Sequence, residues 1–160
     1  MGKLRVSDVP PAERARLVRY FMMAMRQSDY DEIVALTGSP ALVCEELRDT
    51  IENSPMCWVA REETGRPVLL GGAFCQNFLS DMAAPWMIAS LWADAYPGEL
   101  TRIAARQIDR IRAAYPVLQN WVWAHNEPSK RWLARLGFTL YDAEPLGATG
   151  EPFHRFTMGA

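Results

Sequence analysis

The sequence predicts an α/β (α+β) domain, a mixed sheet of about six to seven strands with helices on both faces. Three observations predict it. Apolar residues in the first third recur at helical spacing in three separate pieces. From residue 56 onward, runs rich in strand formers alternate with two further helical stretches, the order of a layered sheet-and-helix fold. Finally, 160 residues at 49% apolar and 22% charged fill one ordinary core, so a single domain over residues 1–160 is expected.

Each element has its own signal. Residues 3–7 alternate polar and apolar, as a short strand does. Asp8, Pro10 and Pro11 then suit a helix entry, and Leu17, Val18, Phe21, Met22, Ala24 and Met25 form one stripe over residues 11–27. A second helix begins at Asp29 or Tyr30 and stops at Gly38, and a third is capped by Ser39-Pro40 and carries Val43, Leu47 and Ile51 at every fourth position. Residues 56–61 and 68–76 read as a hairpin whose Gly71-Gly72 pair marks a bulge or a close backbone approach.

The second half continues with a strand over 86–92, reached through a loop holding Asp81 and Pro85, with Trp86 and Trp92 on one face. Residues 98–115 form a helix with Leu100, Ile103, Ala104, Ile108 and Ile111 inward and Arg102, Arg106, Arg110 and Arg112 outward. The arginines read either as a solvated face or as a nucleotide-binding patch. A strand over 118–124 places Trp121 and Trp123 on one side, and a short helix over 128–136 follows. Closing strands at 138–141 and 153–158 flank a loop with Gly147 and Gly150.

Composition narrows the function classes. A net charge of -2 gives no electrostatic case for nucleic acid or acidic lipid. The longest nearly apolar stretch, residues 83–93, contains Pro85 and Ser90 and falls short of the roughly 20 residues a membrane span needs. No leader pattern opens the chain, so secretion is not expected, and a cytoplasmic setting is. Cys44, Cys57 and Cys75 with two distant histidines make no zinc pattern and read as core thiols, and no metal is expected. His154, between Phe153 and Phe156, reads as structural. There is no Ser-His-Asp order, phosphate-binding Gly-x-x-x-x-Gly-Lys or dinucleotide Gly-x-Gly-x-x-Gly.

One segment carries more. Residues 126–138 run Asn126-Glu-Pro-Ser129-Lys-Arg-Trp132-Leu133-Ala-Arg-Leu136-Gly137-Phe138, with eleven residues from Asn126 to Gly137. Together with the order of elements over nearly the whole chain, this resembles the GNAT superfamily of acyl-CoA-dependent N-acyltransferases. The resemblance implies acetyl-CoA held between the fourth and fifth strands and acetyl transfer to a small-molecule or protein amine. It assigns cofactor contacts to Asn126, Ser129, Gly98, Thr101 and Arg102. Asn126 has a second reading, as the cap of the helix that follows it.

The chain departs from the family in two places. The family's glycine-rich diphosphate loop aligns here with Pro97, Leu100 and Arg102, so backbone amides have less room to cradle phosphate. The family's thiolate-protonating Tyr falls on Leu133, which has no proton to give. No carboxylate lies in residues 86–92, so His125, whose ordinary pKa suits a general base, and Asp94 are the candidates to take the amine's proton. These departures keep open an alternative, a non-catalytic binding or structural protein on the same fold. The 131–138 segment and the closing loop are similar to GNAT-like proteins of phages and prophages, which implies a protein partner and a virion location.

Overall fold

The computed structural model describes residues 3–75 and 79–159. Its elements are β1 (Arg5–Asp8), α1 (Pro11–Ala24), α2 (Gln27–Thr37), α3 (Val43–Asn53), β2 (Met56–Arg61), β3 (Pro67–Phe74), β4 (Met82–Ala89), α4 (Pro97–Ala114), β5 (Val117–Trp123), α5 (Glu127–Arg135), β6 (Thr139–Leu146) and β7 (Glu151–Met158). The strands form one seven-stranded sheet in the order β1-β2-β3-β4-β5-β7-β6. All neighbours are antiparallel except β4 and β5, so the sheet is mixed, as expected.

Helices cover both faces. On one, Leu17, Val18 and Phe21 of α1 and Val43, Leu47 and Ile51 of α3 close over Cys57, Val59, Leu70 and Ile88. On the other, Leu100 and Ile103 of α4 pack on Trp58, Ala60 and Leu69, and Ile108 and Ile111 pack with Leu118, Val122, Leu133 and Phe138. The apolar periodicity that predicted these helices is therefore the core itself, and burial of side chains this size is worth about 1.5–3 kcal/mol each. Arg14 is drawn into the first core, where Nη1 donates to the carbonyls of Ile51 (2.6 Å) and Ser54 (2.7 Å) and ties α1 to the end of α3.

Several boundaries move. The third helix opens with a 3-10 turn at Pro40–Leu42, capped by the Ser39 side chain. The strand expected over 68–76 ends at Phe74, and residue 76 lies outside the described residues. The fourth strand runs Met82–Ala89 rather than 86–92, so Pro85 is inside it and Trp92 is beyond it, in the approach to a 3-10 turn. Trp86 and Trp92 consequently share no strand face. Trp92 instead stacks on Tyr20 (6.4 Å between centroids) beneath the Arg66 guanidinium. The last hairpin is longer than expected, and His154 Nδ1 donates to the Tyr141 carbonyl (2.7 Å) where its register shifts.

The glycine pair in β3 is a close approach and not a bulge, since Gly71 and Gly72 pair in register with Trp58 and Cys57. A Cβ on Gly71 would overlap the Trp58 ring, and one on Gly72 would overlap the Met56 carbonyl and meet the Trp86 ring. The two glycines thus let Trp58 and Trp86 lie across the strand on its opposite faces. Gly71→Ala is expected to lower unfolding free energy by about 1–3 kcal/mol, as overpacking does, with the midpoint of urea denaturation as the measurement.

Candidate functional site

β4 and β5 are hydrogen-bonded neighbours only at Met82–Val117 and Ala83–Leu118. Beyond that point they part, and each edge must dispose of backbone groups that no neighbouring strand serves. The first is served by Asn120. Its Nδ2 donates to the Pro85 carbonyl (2.9 Å) while its Oδ1 accepts from the Trp121 N–H (2.8 Å). One carboxamide is thus inserted between a donor on β5 and an acceptor on β4, where the strands are too far apart to meet. Pro85 fits here because a strand residue turns its N–H and C=O to the same edge, and proline has no N–H to strand in the gap.

At the far end of the gap, α2 supplies the partners. Asp29 Oδ2 accepts from Ala89 N–H (2.9 Å), and Glu32 Oε1 accepts from Trp123 N–H (2.9 Å). Between Pro85 and Ala89, the alternation of the strand turns the Met87 N–H to the same edge, and among the described residues no side chain caps it.

Asn126 joins the two carboxylates. It is 1% exposed, and its Nδ2 donates to Glu32 Oε1 (3.1 Å) and Asp29 Oδ1 (3.4 Å). Its Oδ1 accepts from Ser129 N–H (3.4 Å) at the start of α5. Arg26 Nη2 completes the group with Asp29 Oδ1 (3.3 Å). Burial pushes the Glu32 carboxyl up to about 7 from its usual 4.5, and the Asp29 charge adds to the rise. The Trp123 N–H, Asn126 and Arg26 oppose it without cancelling it.

Three cavities share walls around this gap. The slot itself, about 90 Å³, lies between Pro85, Trp86 and Met87 on β4 and Asn120, Trp121 and Val122 on β5, floored by Trp132, Leu133 and Phe138. An outer cavity of about 370 Å³ opens on the α4–α5 side, with Pro97, Leu100, Thr101, Arg131, Trp132 and Arg135 in its wall. A third, of about 690 Å³, opens on the α2–α3 side against Trp86, Trp121, Asn120, Glu32, Glu46 and Asp49. Arg26, Ala89 and Trp132 belong to both the slot and the outer cavity. Glu32, Trp86, Met87, Asn120 and Trp121 belong to both the slot and the third cavity.

The residues singled out from the sequence fall at different places around these cavities. Asp94 and Thr101 line the outer cavity, and Thr101 Oγ1 donates to the Pro97 carbonyl (3.0 Å) and accepts from Trp132 Nε1 (3.2 Å). Arg102 is exposed, near Gly98 in the first turn of α4. Ser129 lines the slot. His125 is exposed, set edge-on against the Trp123 ring (5.0 Å), and lines none of the three cavities. The Asn126 side chain is turned to α2 and to its own helix. Leu133 is buried against the slot, and Leu100 is 6% exposed, its side chain in the core beneath the sheet.

No protein-family model and no curated protein sequence matches the chain. Solved structures do. Spermidine N-acetyltransferase from Vibrio cholerae, described as dodecameric, aligns over 98% of this chain and 93% of its own at 13% identity and TM-score 0.64. The same enzyme in complex with CoA and spermine aligns over 98% and 95% at 11% identity and TM-score 0.65. Ribosomal-protein-S5-alanine acetyltransferase from Vibrio fischeri aligns over 99% and 93% at 14% identity and TM-score 0.64. The chain has the GNAT fold.

Within that GNAT fold, sequence reasoning missed Glu32, Asn120, Arg131 and Arg135. Nothing in the local sequence distinguishes Glu32 from any other polar position on a short helix, because its partners lie about ninety residues further along the chain. Arg131 and Arg135, four apart on α5, carried a findable signal, since that spacing puts both on one helix face.

A carboxyl whose folded pKa exceeds its unfolded one makes the folded state bind the extra proton, so stability falls as pH rises from about 4.5 through about 7. Replacing Glu32 by Gln is expected to flatten that slope, worth on the order of 1–3 kcal/mol across the window. Urea denaturation of both proteins at pH 5 and pH 8 measures it.

Proposed function

We propose that this protein is an acyl-CoA-dependent N-acyltransferase that moves an acetyl group from acetyl-CoA to an amine. The observation that carries the reading is the set of three cavities that share walls at the parting of β4 and β5, the one on the α4–α5 side basic and the one on the α2–α3 side acidic and aromatic. Acetyl-CoA would enter from the α4–α5 side and the amine from the α2–α3 side. The two acetyltransferases of the same fold named above act, by their names, on spermidine and on the alanine of a ribosomal protein, both amines.

The residues present suit the acyl donor. Among the described residues, Arg26 Nε is a buried N–H without a partner, and Arg26 lies in the wall shared by slot and outer cavity, so a pantetheine carbonyl would satisfy it. Arg131 and Arg135, with Arg102 and the first-turn amides of α4, would hold the diphosphate. In this reading guanidinium groups take over what a glycine-rich loop does with backbone amides. The Met87 N–H, in the slot wall, would stabilise the oxygen of the thioester carbonyl as negative charge develops on it. The thioester itself supplies an activated acyl group with a thiolate leaving group.

A second reading, a non-catalytic binding protein on the same fold, is favoured by Pro97, which removes an amide hydrogen at the mouth. One experiment separates the two. Acetyl-CoA at a hundred times its dissociation constant is expected to add about 2.7 kcal/mol of stability and roughly 5–10 °C to Tm. The shift should largely vanish in an Arg131→Ala, Arg135→Ala double variant whose own Tm is unchanged, and thiol release should follow addition of spermidine or an alanine-initiated peptide. No shift at millimolar acetyl-CoA would leave the binding-protein reading standing.

A further inference from the structure

Among the described residues, Glu32 is the one ionisable side chain that lines both the slot and the α2–α3 cavity. Its two oxygens are in unlike situations. Oε1 is held by the Trp123 N–H (2.9 Å) and by Asn126 Nδ2 (3.1 Å), whereas no described donor reaches Oε2. One oxygen fixes the carboxylate to the edge of β5 and the other is left for a visitor.

The competing groups are committed or elsewhere. Both Asp29 oxygens are occupied, by Ala89 N–H on one side and by Arg26 and Asn126 on the other. His125 lines none of the three cavities, and Asp94 lies in the outer cavity, with Trp132 in the wall between it and the slot.

We infer that Glu32 is the general base of the transfer, receiving the attacking amine's proton on Oε2; this rests on the transferase reading above. The amine nitrogen's lone pair forms the new C–N bond at the thioester carbonyl carbon, and the C–S bond breaks with its electron pair leaving on the CoA sulfur. The proton shed by nitrogen passes to Glu32 Oε2 and from there to solvent or to the thiolate. The acceptor is thus a primary or secondary amine that reaches the slot past Trp86 and Trp121.

The surroundings suit the role. Among the described residues, Asp29 and Arg26, on and before α2, act on the Glu32 charge, Glu46 and Asp49 on α3 line the same cavity, and Glu151 on β7 accepts from the Trp123 indole (3.1 Å). Neither β4 nor α5 adds a titratable side chain to the slot. With its carboxyl titrating at about 7, Glu32 is both substantially ionised and basic enough to hold a proton at neutral pH.

The test uses the full chain with acetyl-CoA and, as acceptor probes, spermidine and an alanine-initiated peptide. In the wild type, kcat/KM is expected to rise with pH through about 7, and the Glu32→Gln variant to lose 10²- to 10⁴-fold in kcat together with that rise, while its acetyl-CoA dissociation constant stays within threefold. Glu32→Asp should recover part of the rate. Infrared difference titration of the wild type should show one carboxyl titrating near 7 that is missing from Glu32→Gln, a readout independent of turnover. Full activity with an unchanged pH profile in Glu32→Gln, or no carboxyl titrating near 7, would overturn the assignment and leave the transferase reading intact. A wild type that binds no acetyl-CoA would remove both.

Discussion

Two adjacent parallel strands that separate after two residue pairs set the terms for everything else in this molecule. A parting in the middle of a sheet exposes main-chain donors and acceptors inside the protein, and each one left unsatisfied costs about 1–3 kcal/mol. Asn120 spans the narrow part of the gap, Asp29 and Glu32 close its wide end, and Pro85 removes one donor from the problem altogether. What remains is a slot whose polar rim is committed to holding the strands apart, with the Met87 amide between the plugs. Removing any one of these side chains therefore affects architecture and chemistry together.

The same economy explains the position of the carboxylates. α2 lies where its acids reach strand edges, so Asp29 and Glu32 serve the fold first. Glu32 becomes chemically useful because the work needs only one of its oxygens. Asn126 belongs to this network as much as to the helix that it caps, since one side chain links α2 to the start of α5. On the opposite face, α4 opens with Pro97 and buries Leu100, and the positive charge beside the outer cavity comes from Arg131 and Arg135 on α5 together with Arg26.

Much of the fold was legible because its signals are local. Gly38 and Gly137 adopt the left-handed turns (φ 86° and 101°) that their positions after helices imply, and the stripes on α1, α3 and α4 are the core. Pro85 misled the reading of β4, because proline in a strand is normal only where its edge needs no donor, and that condition exists here solely through the departure of β5. The site was less legible for the same reason. The motif around Asn126 lies just past the end of β5, and the Asn126 side chain reaches α2 from there. Glu32 and Asn120, however, owe their roles to partners brought near by the topology, which no spacing along the chain reveals.

If the gap between β4 and β5 receives the thioester, the Met87 amide is the group that senses it. Amide hydrogen exchange of Met87, followed by NMR with and without saturating acetyl-CoA, tests it at the atom concerned. Marked slowing is expected at Met87, with smaller effects at the first turn of α4 and none on β1. An unchanged Met87 amide in a protein that nevertheless binds acetyl-CoA would show that the ligand sits elsewhere and that the slot is not the acyl site.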